Sequence, residues 1–541
     1  MVNERTRIVP QAQDASKADR KTGRREFLRS AGLAAISAAA APWVAKGEKP
    51  VSASKRPNIL FIFTDDLGHG DISCYNSEAK VRTANVDRLA AEGIRFLDAH
   101  SPATVCTPSR YSLLTGRMCF RTGYRGVFCG IGGPCLIEED RLTLPEMLRR
   151  KGYATAAVGK WHVGLTFLDK NGKRVTKSNN AAIKEVDWSR PIPDAPVHRG
   201  FDSFFGTACC PTTDWLYAYI ENDRVPVPPT QPIDKSNIPK NPYTEDCRAG
   251  LIAPNYDLTQ TDMVFLEKSK QFIKKHVKES PDKPFFLYHA MTAVHFASLT
   301  PDRFHGKTKA GPHGDFIYQM DWVVGELMKT LEEAGVADDT IVFFASDNGP
   351  EVGAVVNMRK DYDHDGARPW RGVKRDNWEG GHRTPFIVRW PGKIKPGVTT
   401  DQLTSLTDVM ATCASIAGAE LPNDAAEDSY DMLGVLLGTQ GKTPVRQYLL
   451  QQTISLGMSI RHGRWKLLDH KGSGGNNYEK NANLRPYIIP DTEPDSPGQL
   501  YNLETDPGER VNVYSKHPEI VRELKARLEE FKSSGHSAPK R

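Results

Sequence analysis

The apolar run Ile59-Leu60-Phe61-Ile62-Phe63 ends in Thr64-Asp65-Asp66-Leu67-Gly68. Far downstream, Thr340-Ile341-Val342-Phe343-Phe344-Ala345 runs in the same way into Ser346-Asp347-Asn348-Gly349. A short unbroken run of β-branched and aromatic residues, closed by turn residues, reads as a strand buried on both faces. Such strands belong to a parallel sheet covered by helices, where ligands bind outside the carboxyl ends of the strands. Asp65, Asp66, Asp347 and Asn348 then offer one site for a hard cation of the Ca2+ or Mg2+ type. Taken singly, each motif also reads as a plain turn or helix cap, and Asp-Asn-Gly is a strong turn signal.

A third motif shifts the balance. Cys106-Thr107-Pro108-Ser109-Arg110 continues through Tyr111 to Thr115-Gly116-Arg117. Cys106 lies four positions ahead of Arg110, which puts both on one face of a helix's first turn, where proline is well tolerated. A helix N-terminus also attracts anions, and Cys106 is a candidate nucleophile. A thiolate is a soft ligand, however, and suits a cation held by carboxylates badly. An oxygen in its place would suit it well.

The sequence resembles the formylglycine-dependent sulfatases. The resemblance rests on Cys-Thr-Pro-Ser-Arg with Leu-Leu-Thr-Gly-Arg, on the Asp65-Asp66 strand, and on Gly159-Lys160-Trp161-His162. It continues through Ser346-Asp347-Asn348-Gly349, Arg371-Gly372-Val373-Lys374 and Trp378-Glu379-Gly380-Gly381, from about Pro57 onward. It implies an alkaline-phosphatase-like α/β fold: a mixed, mostly parallel sheet flanked by helices, with a smaller C-terminal antiparallel-sheet subdomain and a terminal helix. It also implies that Cys106 is converted to an aldehyde whose hydrate supplies the oxygen ligand. Asp65, Asp66, Asp347 and Asn348 would hold one cation, Ca2+ or Mg2+, together with residue 106.

Each remaining role is also sensible from the residues themselves. Ala154 to Val158 reads as a strand and Gly159 to His162 as the loop leaving it, while Pro284 to His289 reads as another strand with His295 beyond. Lys160 and Lys374 would clamp sulfate oxygens, and Arg110 would orient the hydrate or bind sulfate. The hydrate would attack sulfur in line, His295 would protonate the leaving alcohol, and His162 would take a proton as sulfate is expelled. The family usually shows Pro-His where this chain has Val294-His295. His289, His100 and His382 read as structural. The substrate implied is a sulfate ester, above all a sulfated carbohydrate. Two competing readings are a phosphate or phosphonate ester hydrolase of the same superfamily and a non-catalytic sulfated-glycan binder that keeps a thiol at 106.

At the N-terminus, Thr22-Gly23-Arg24-Arg25-Glu26-Phe27-Leu28-Arg29 precedes an Ala-rich stretch from Ala31 to Ala41. It resembles a twin-arginine export signal, and the stretch is too short to span a bilayer. The expected organisation is a signal over 1–41, a linker over 42–56, a catalytic domain over 57–440 and a C-terminal subdomain over 441–541. The expected partners are the twin-arginine export machinery and a formylglycine-generating or anaerobic sulfatase-maturating enzyme, with a periplasmic or secreted destination and no stable membrane anchor. The formal charge of +6 is misleading, since residues 1–41 carry eight Lys/Arg and four Asp/Glu and leave +2 on the rest. Nothing in this balance suggests nucleic-acid binding. Nine cysteines less Cys106 leave eight that could pair after export, although Cys209 and Cys210 are adjacent. The segment Thr212 to Tyr219 alternates aromatic residues, which suit either a packed strand or a sugar platform.

Amphipathic spacing predicts helices over Asp315–Ala334, over Leu406–Ile416 and from Pro518. Strands are predicted at Pro385–Trp390, Gln447–Ile454, Arg464–Leu468 and Gly498–Leu503, and a surface excursion at Arg224–Pro242.

Overall fold

Phe61, Phe63, Tyr288 and Phe343 stack on neighbouring strands, with Phe61 and Phe343 ring centroids 5.7 Å apart. Around them the computed structural model, which describes residues 56–541, builds a nine-stranded sheet. The expected signal and all but the last residue of the expected linker lie outside the described residues. In chain order the strands are β1 (Asn58–Thr64), β2 (Ile94–Phe96), β3 (Ala154–Lys160), β4 (Ser203–Thr207), β5 (Ile220–Glu221), β6 (Phe285–Ala290), β7 (Thr340–Ser346), β8 (Phe386–Arg389) and β9 (Val398–Thr400). Their order in the sheet is β9-β2-β8-β7-β1-β6-β3-β4-β5.

The run from β7 to β4 is parallel, while β8 and β5 flank it antiparallel. The central strands are apolar throughout because helices cover both faces. One group comprises α1 (Ala84–Ala91), α4 (Thr261–Glu279) and α5 (Gly311–Glu333), and the other α2 (Cys106–Thr115), α3 (Leu144–Arg150) and α7 (Asp408–Ala417). Helix α6 (Val352–Tyr362) follows β7.

One boundary differs from the sequence expectation. Strand β3 does not stop at Val158 but carries Gly159 and Lys160 within the ladder, paired with Gly206 and Thr207 of β4. Gly159 permits this with φ of 119°, and a Cβ there would overlap the Ala290 carbonyl oxygen. Lys160 is therefore a strand residue, not a loop residue.

A second, four-stranded antiparallel sheet comprises β10 (Tyr448–Gln452), β11 (Met458–His462), β12 (Trp465–Leu468) and β13 (Gln499–Asn502). Helix α8 (Pro518–Ser533) packs Val521, Leu524, Leu528 and Phe531 against its apolar face, and Met118 joins the same cluster. The sequence reading missed β11, whose Met-Ser-Ile-Arg-His offers only two apolar residues in alternation. The Gln452 carbonyl accepts the Thr104 N–H at 3.0 Å, so this sheet braces the entry to α2. All nine cysteines are free thiols in this structure. No described helix is long and apolar enough to cross a membrane.

Candidate active site

Adjacent parallel strands in register decide where the acidic residues go. Thr64 of β1 lies opposite Ser346 of β7, so Asp65 and Asp347 emerge side by side. The chain then turns at Asp66 through φ of 59°, a left-handed conformation that aspartate tolerates better than most residues. The Asp66 N–H donates to Asp347 Oδ1 at 3.3 Å, and Asn348 Nδ2 donates to Asp66 Oδ1 at 2.7 Å. All four side chains are buried.

Helix α2 points its first turn at this cluster. Cys106 Sγ lies 3.7 Å from Asp65 Oδ1. One turn later Arg110, fully buried, reaches Asp347 Oδ2 with Nε at 2.9 Å and Nη2 at 2.7 Å, and its Nη1 donates to the Lys160 carbonyl at 3.0 Å. The arginine thus ties together the ends of β7 and β3. Lys160, at the end of β3, pairs with Asp65. Lys374, from the loop after α6, pairs with Asp66 at 2.7 Å and lies 3.4 Å from Glu351, which also binds Arg375.

Two histidines complete the pocket. His162 Nε2 donates to the Phe128 carbonyl at 2.7 Å, which leaves Nδ1 as its free lone pair. Burial, with the Lys160 charge added, holds it neutral and well below the usual imidazole range. His295 donates from Nδ1 to the Phe296 carbonyl, so its Nε2 faces the site, 3.7 Å from Asp66 Oδ2. Burial opposes its charge, but the Cys210 sulfur with the Asp66 and Asp65 carboxylates outweighs this and raises its pKa above 6.5. Cys210 Sγ sits between the two, 3.4 Å from His295 Nε2 and 3.9 Å from His162 Nδ1.

The donor set fits a divalent cation. Ligand atoms of Asp65, Asp66, Cys106 and His295 all lie within 4.8 Å of one another. Asn348 Oδ1 is buried with no hydrogen-bond donor. Burial and the Asp65 charge push Asp347 up to about 7, a crowding of carboxylates that a cation would relieve. Three carboxylates and the charges of Arg110, Lys160 and Lys374 cancel one another. A divalent cation added to them would give the pocket a positive surplus for an anionic substrate. Burial also raises the Cys106 thiol well above its ordinary pKa, so as a thiol it is neither nucleophile nor good ligand here.

Every residue selected from the sequence lies in this pocket, and Cys210 and Glu351 are the additions. In the sequence Cys210 suggests only disulfide pairing, and nothing local marks it for the pocket. His289 bonds Ser269 Oγ at 2.8 Å within the core. His100 and His382 face each other through their Nδ1 atoms at 3.0 Å, in a separate network with Asp98, Glu379 and Lys466.

Comparison with known proteins agrees with this geometry. Residues 57–419 match the family profile described as Sulfatase. An N-acetylgalactosamine-6-O-sulfatase of Bacteroides thetaiotaomicron is 34% identical over 505 residues, covering 89% of this chain and 94% of that protein. Human arylsulfatase A is 32% identical, covering 88% and 87%. A solved 6S-sulf structure from glycosaminoglycan metabolism by Bacteroides thetaiotaomicron superposes with a TM-score of 0.74 at 32% identity, over 89% of this chain and all of that one. The chain belongs to the sulfatase family and is a sulfuric ester hydrolase.

Proposed function

We propose that this enzyme removes sulfate from carbohydrate sulfate monoesters, with aryl sulfates as further substrates, using residue 106 as formylglycine beside one divalent cation. The observation that carries this reading is the convergence of Asp65, Asp66, Arg110, Lys160, Asp347, Asn348 and Lys374 on Cys106 from separate strands and loops. The preference for carbohydrate draws support from the relative named N-acetylgalactosamine-6-O-sulfatase.

A cation, Ca2+ or Mg2+, held by Asp65, Asp66, Asp347, Asn348 and the residue-106 oxygen, supplies Lewis-acid stabilisation of charge on the sulfuryl oxygens when bound. Conversion of Cys106 to formylglycine, followed by addition of water to the aldehyde, exchanges a soft, protonated thiol for a geminal diol whose hydroxyl is a hard oxygen nucleophile. Lys160 and Lys374, which pair with Asp65 and Asp66, clamp the sulfuryl oxygens in this reading. Arg110 fixes the Asp347 carboxylate and the end of β3. His295 gives the proton at Nε2 to the leaving alcohol, and His162 takes a proton at Nδ1.

Cys106→Ala should abolish turnover, and Cys106→Ser should give at most one transfer with sulfate trapped on the enzyme. Steady-state activity near wild type from either variant contradicts the assignment. Parallel assays on sulfate and phosphate monoesters of one alcohol separate this reading from a phosphate or phosphonate ester hydrolase. Export through the twin-arginine route, to the periplasm or medium, and conversion of Cys106 by a formylglycine-generating or anaerobic maturating enzyme belong to the same proposal. Replacing Arg24 and Arg25 by Lys should retain the protein in the cytoplasm, and unchanged export would refute that route.

A further inference from the structure

Beyond His162 and His295 stands a cation that the reaction does not use. Trp215 and Arg248 adjoin a small sheet formed by Leu216–Tyr217, Leu251–Ile252 and Gln231–Pro232. The Leu251 N–H donates to the Trp215 carbonyl at 2.9 Å, and the Tyr217 hydroxyl donates to the Arg248 carbonyl at 2.6 Å, so both residues sit on anchored backbone. Tyr217 and Tyr219 are buried. That leaves Trp215 as the half-buried aromatic of this segment.

Two chains of contact tie the pair to the catalytic pocket. Trp215 packs on Gly130, where an added Cβ would stand 3.0 Å from Trp215 Cε3. Two residues earlier, the Phe128 carbonyl orients His162. On the other side, Asp214 Oδ2 accepts the Cys210 N–H at 2.7 Å, and its Oδ1 is 3.9 Å from Arg248 Nη1. Cys210 in turn touches both histidines. The pair therefore lies beside the pocket, next to the residues that contact His162 and Cys210.

The fold uses Arg248 only in part, through a side-chain hydrogen bond with Cys129. Its side chain is 40% exposed, and Asp214 and Asp246 meet it only at 3.9 and 3.8 Å, beyond hydrogen-bond length. The guanidinium carbon lies 5.7 Å from the Trp215 ring centroid, a cation–π arrangement that orients the planar fork. A guanidinium held in this way matches a carboxylate or a sulfate with two parallel N–H donors.

We propose that Arg248, supported by Trp215, binds the carboxylate or sulfate of the sugar linked to the one that loses its sulfate. This inference rests on the sulfatase reading of the same pocket and adds a substrate class, acidic oligosaccharides, to it. The test compares four substrates: an aryl sulfate, a disaccharide of uronic acid and a sulfated N-acetylhexosamine, its carboxyl-reduced form, and a neutral-linked disaccharide carrying a second sulfate. Arg248→Ala should raise KM for at least one of the doubly anionic disaccharides about tenfold or more, with little change in kcat. It should leave the aryl sulfate and the reduced disaccharide as in wild type. The uronate and disulfated substrates show which anion is read. Trp215→Ala should give a weaker version of the same pattern, and Arg248→Lys should restore only part of the affinity.

Equal losses on charged and reduced disaccharides, or no loss on either anionic one, would overturn the proposal. Calorimetric Kd values for the same disaccharides on Cys106→Ala, with and without Arg248→Ala, read the subsite without turnover. A wild-type enzyme that cleaves no sulfate ester would defeat the proposed reaction, while the Kd comparison would still decide the role of Arg248.

Discussion

His295 and the two lysines separate leaving-group chemistry from charge stabilisation. His295 Nε2 faces the pocket, so His295→Ala should lower kcat on sugar sulfates by about 10²- to 10⁴-fold. Sulfate esters of acidic phenols, whose leaving groups need no proton, should lose far less. A uniform loss across both substrate types in steady-state assays would remove the general-acid role. Lys160→Ala and Lys374→Ala should instead depress every substrate alike, by about 10²-fold or more, because each strips a charge clamp from the sulfuryl group. The meeting of these residues in one pocket was legible because Lys160 and His295 follow apolar runs and Lys374 lies in a contiguous Gly- and Arg-rich motif. Cys210 was not, because its position between His162 and His295 is created by the meeting of loops distant in sequence.

Strand β3 shows how an element places the Lys160 side chain in the pocket. Gly159 has φ of 119° and no room for a Cβ against Ala290, and it immediately precedes Lys160. Gly159→Ala should destabilise the protein by about 3 kcal/mol or more and lower kcat with it. Gly152→Ala, at φ of 85° but with only the Arg56 side chain near, should cost about 1 kcal/mol and spare kcat. Thermal unfolding and steady-state kinetics on both variants check this, and equal effects would remove the steric argument. The long apolar runs of β1, β6 and β7 and the periodic helices α5, α7 and α8 could be read directly, because burial on one or both faces imposes their pattern. The end of β3 could not, since Gly-Lys carries no strand signal and β4 supplies the pairing. Strand β11 escaped for a similar reason, as β10 and β12 on either side complete it.

For the whole molecule, buried neutral histidines set the response to acid. Burial, with nearby Arg383 and Arg95, pushes His69 down to about 3, and burial pushes His289 to about 3 and His313 to about 4. Unfolded histidine titrates near 6.5, so from about pH 6.5 to about pH 4 the unfolded chain binds protons that the folded one refuses. Stability therefore falls as pH drops through that window. Asp262, Asp321 and Glu509, which burial pushes up to about 6, and Asp347, at about 7, act in the opposite sense and offset part of the loss. The net expectation is a loss of stability between pH 7.5 and pH 5 in denaturant titrations. Equal stability at the two values would contradict it. The proposed cation site exists only in the folded chain, so a chelator should lower both activity and Tm, with Ca2+ restoring both.

The most direct measurement is the intact mass of the tryptic peptide Phe96–Arg110 from active, purified enzyme. An aldehyde or its hydrate at position 106, reactive toward a carbonyl-specific hydrazide, is the predicted result. An unaltered cysteine there, in protein that still turns over sulfate esters, would contradict the account at its centre.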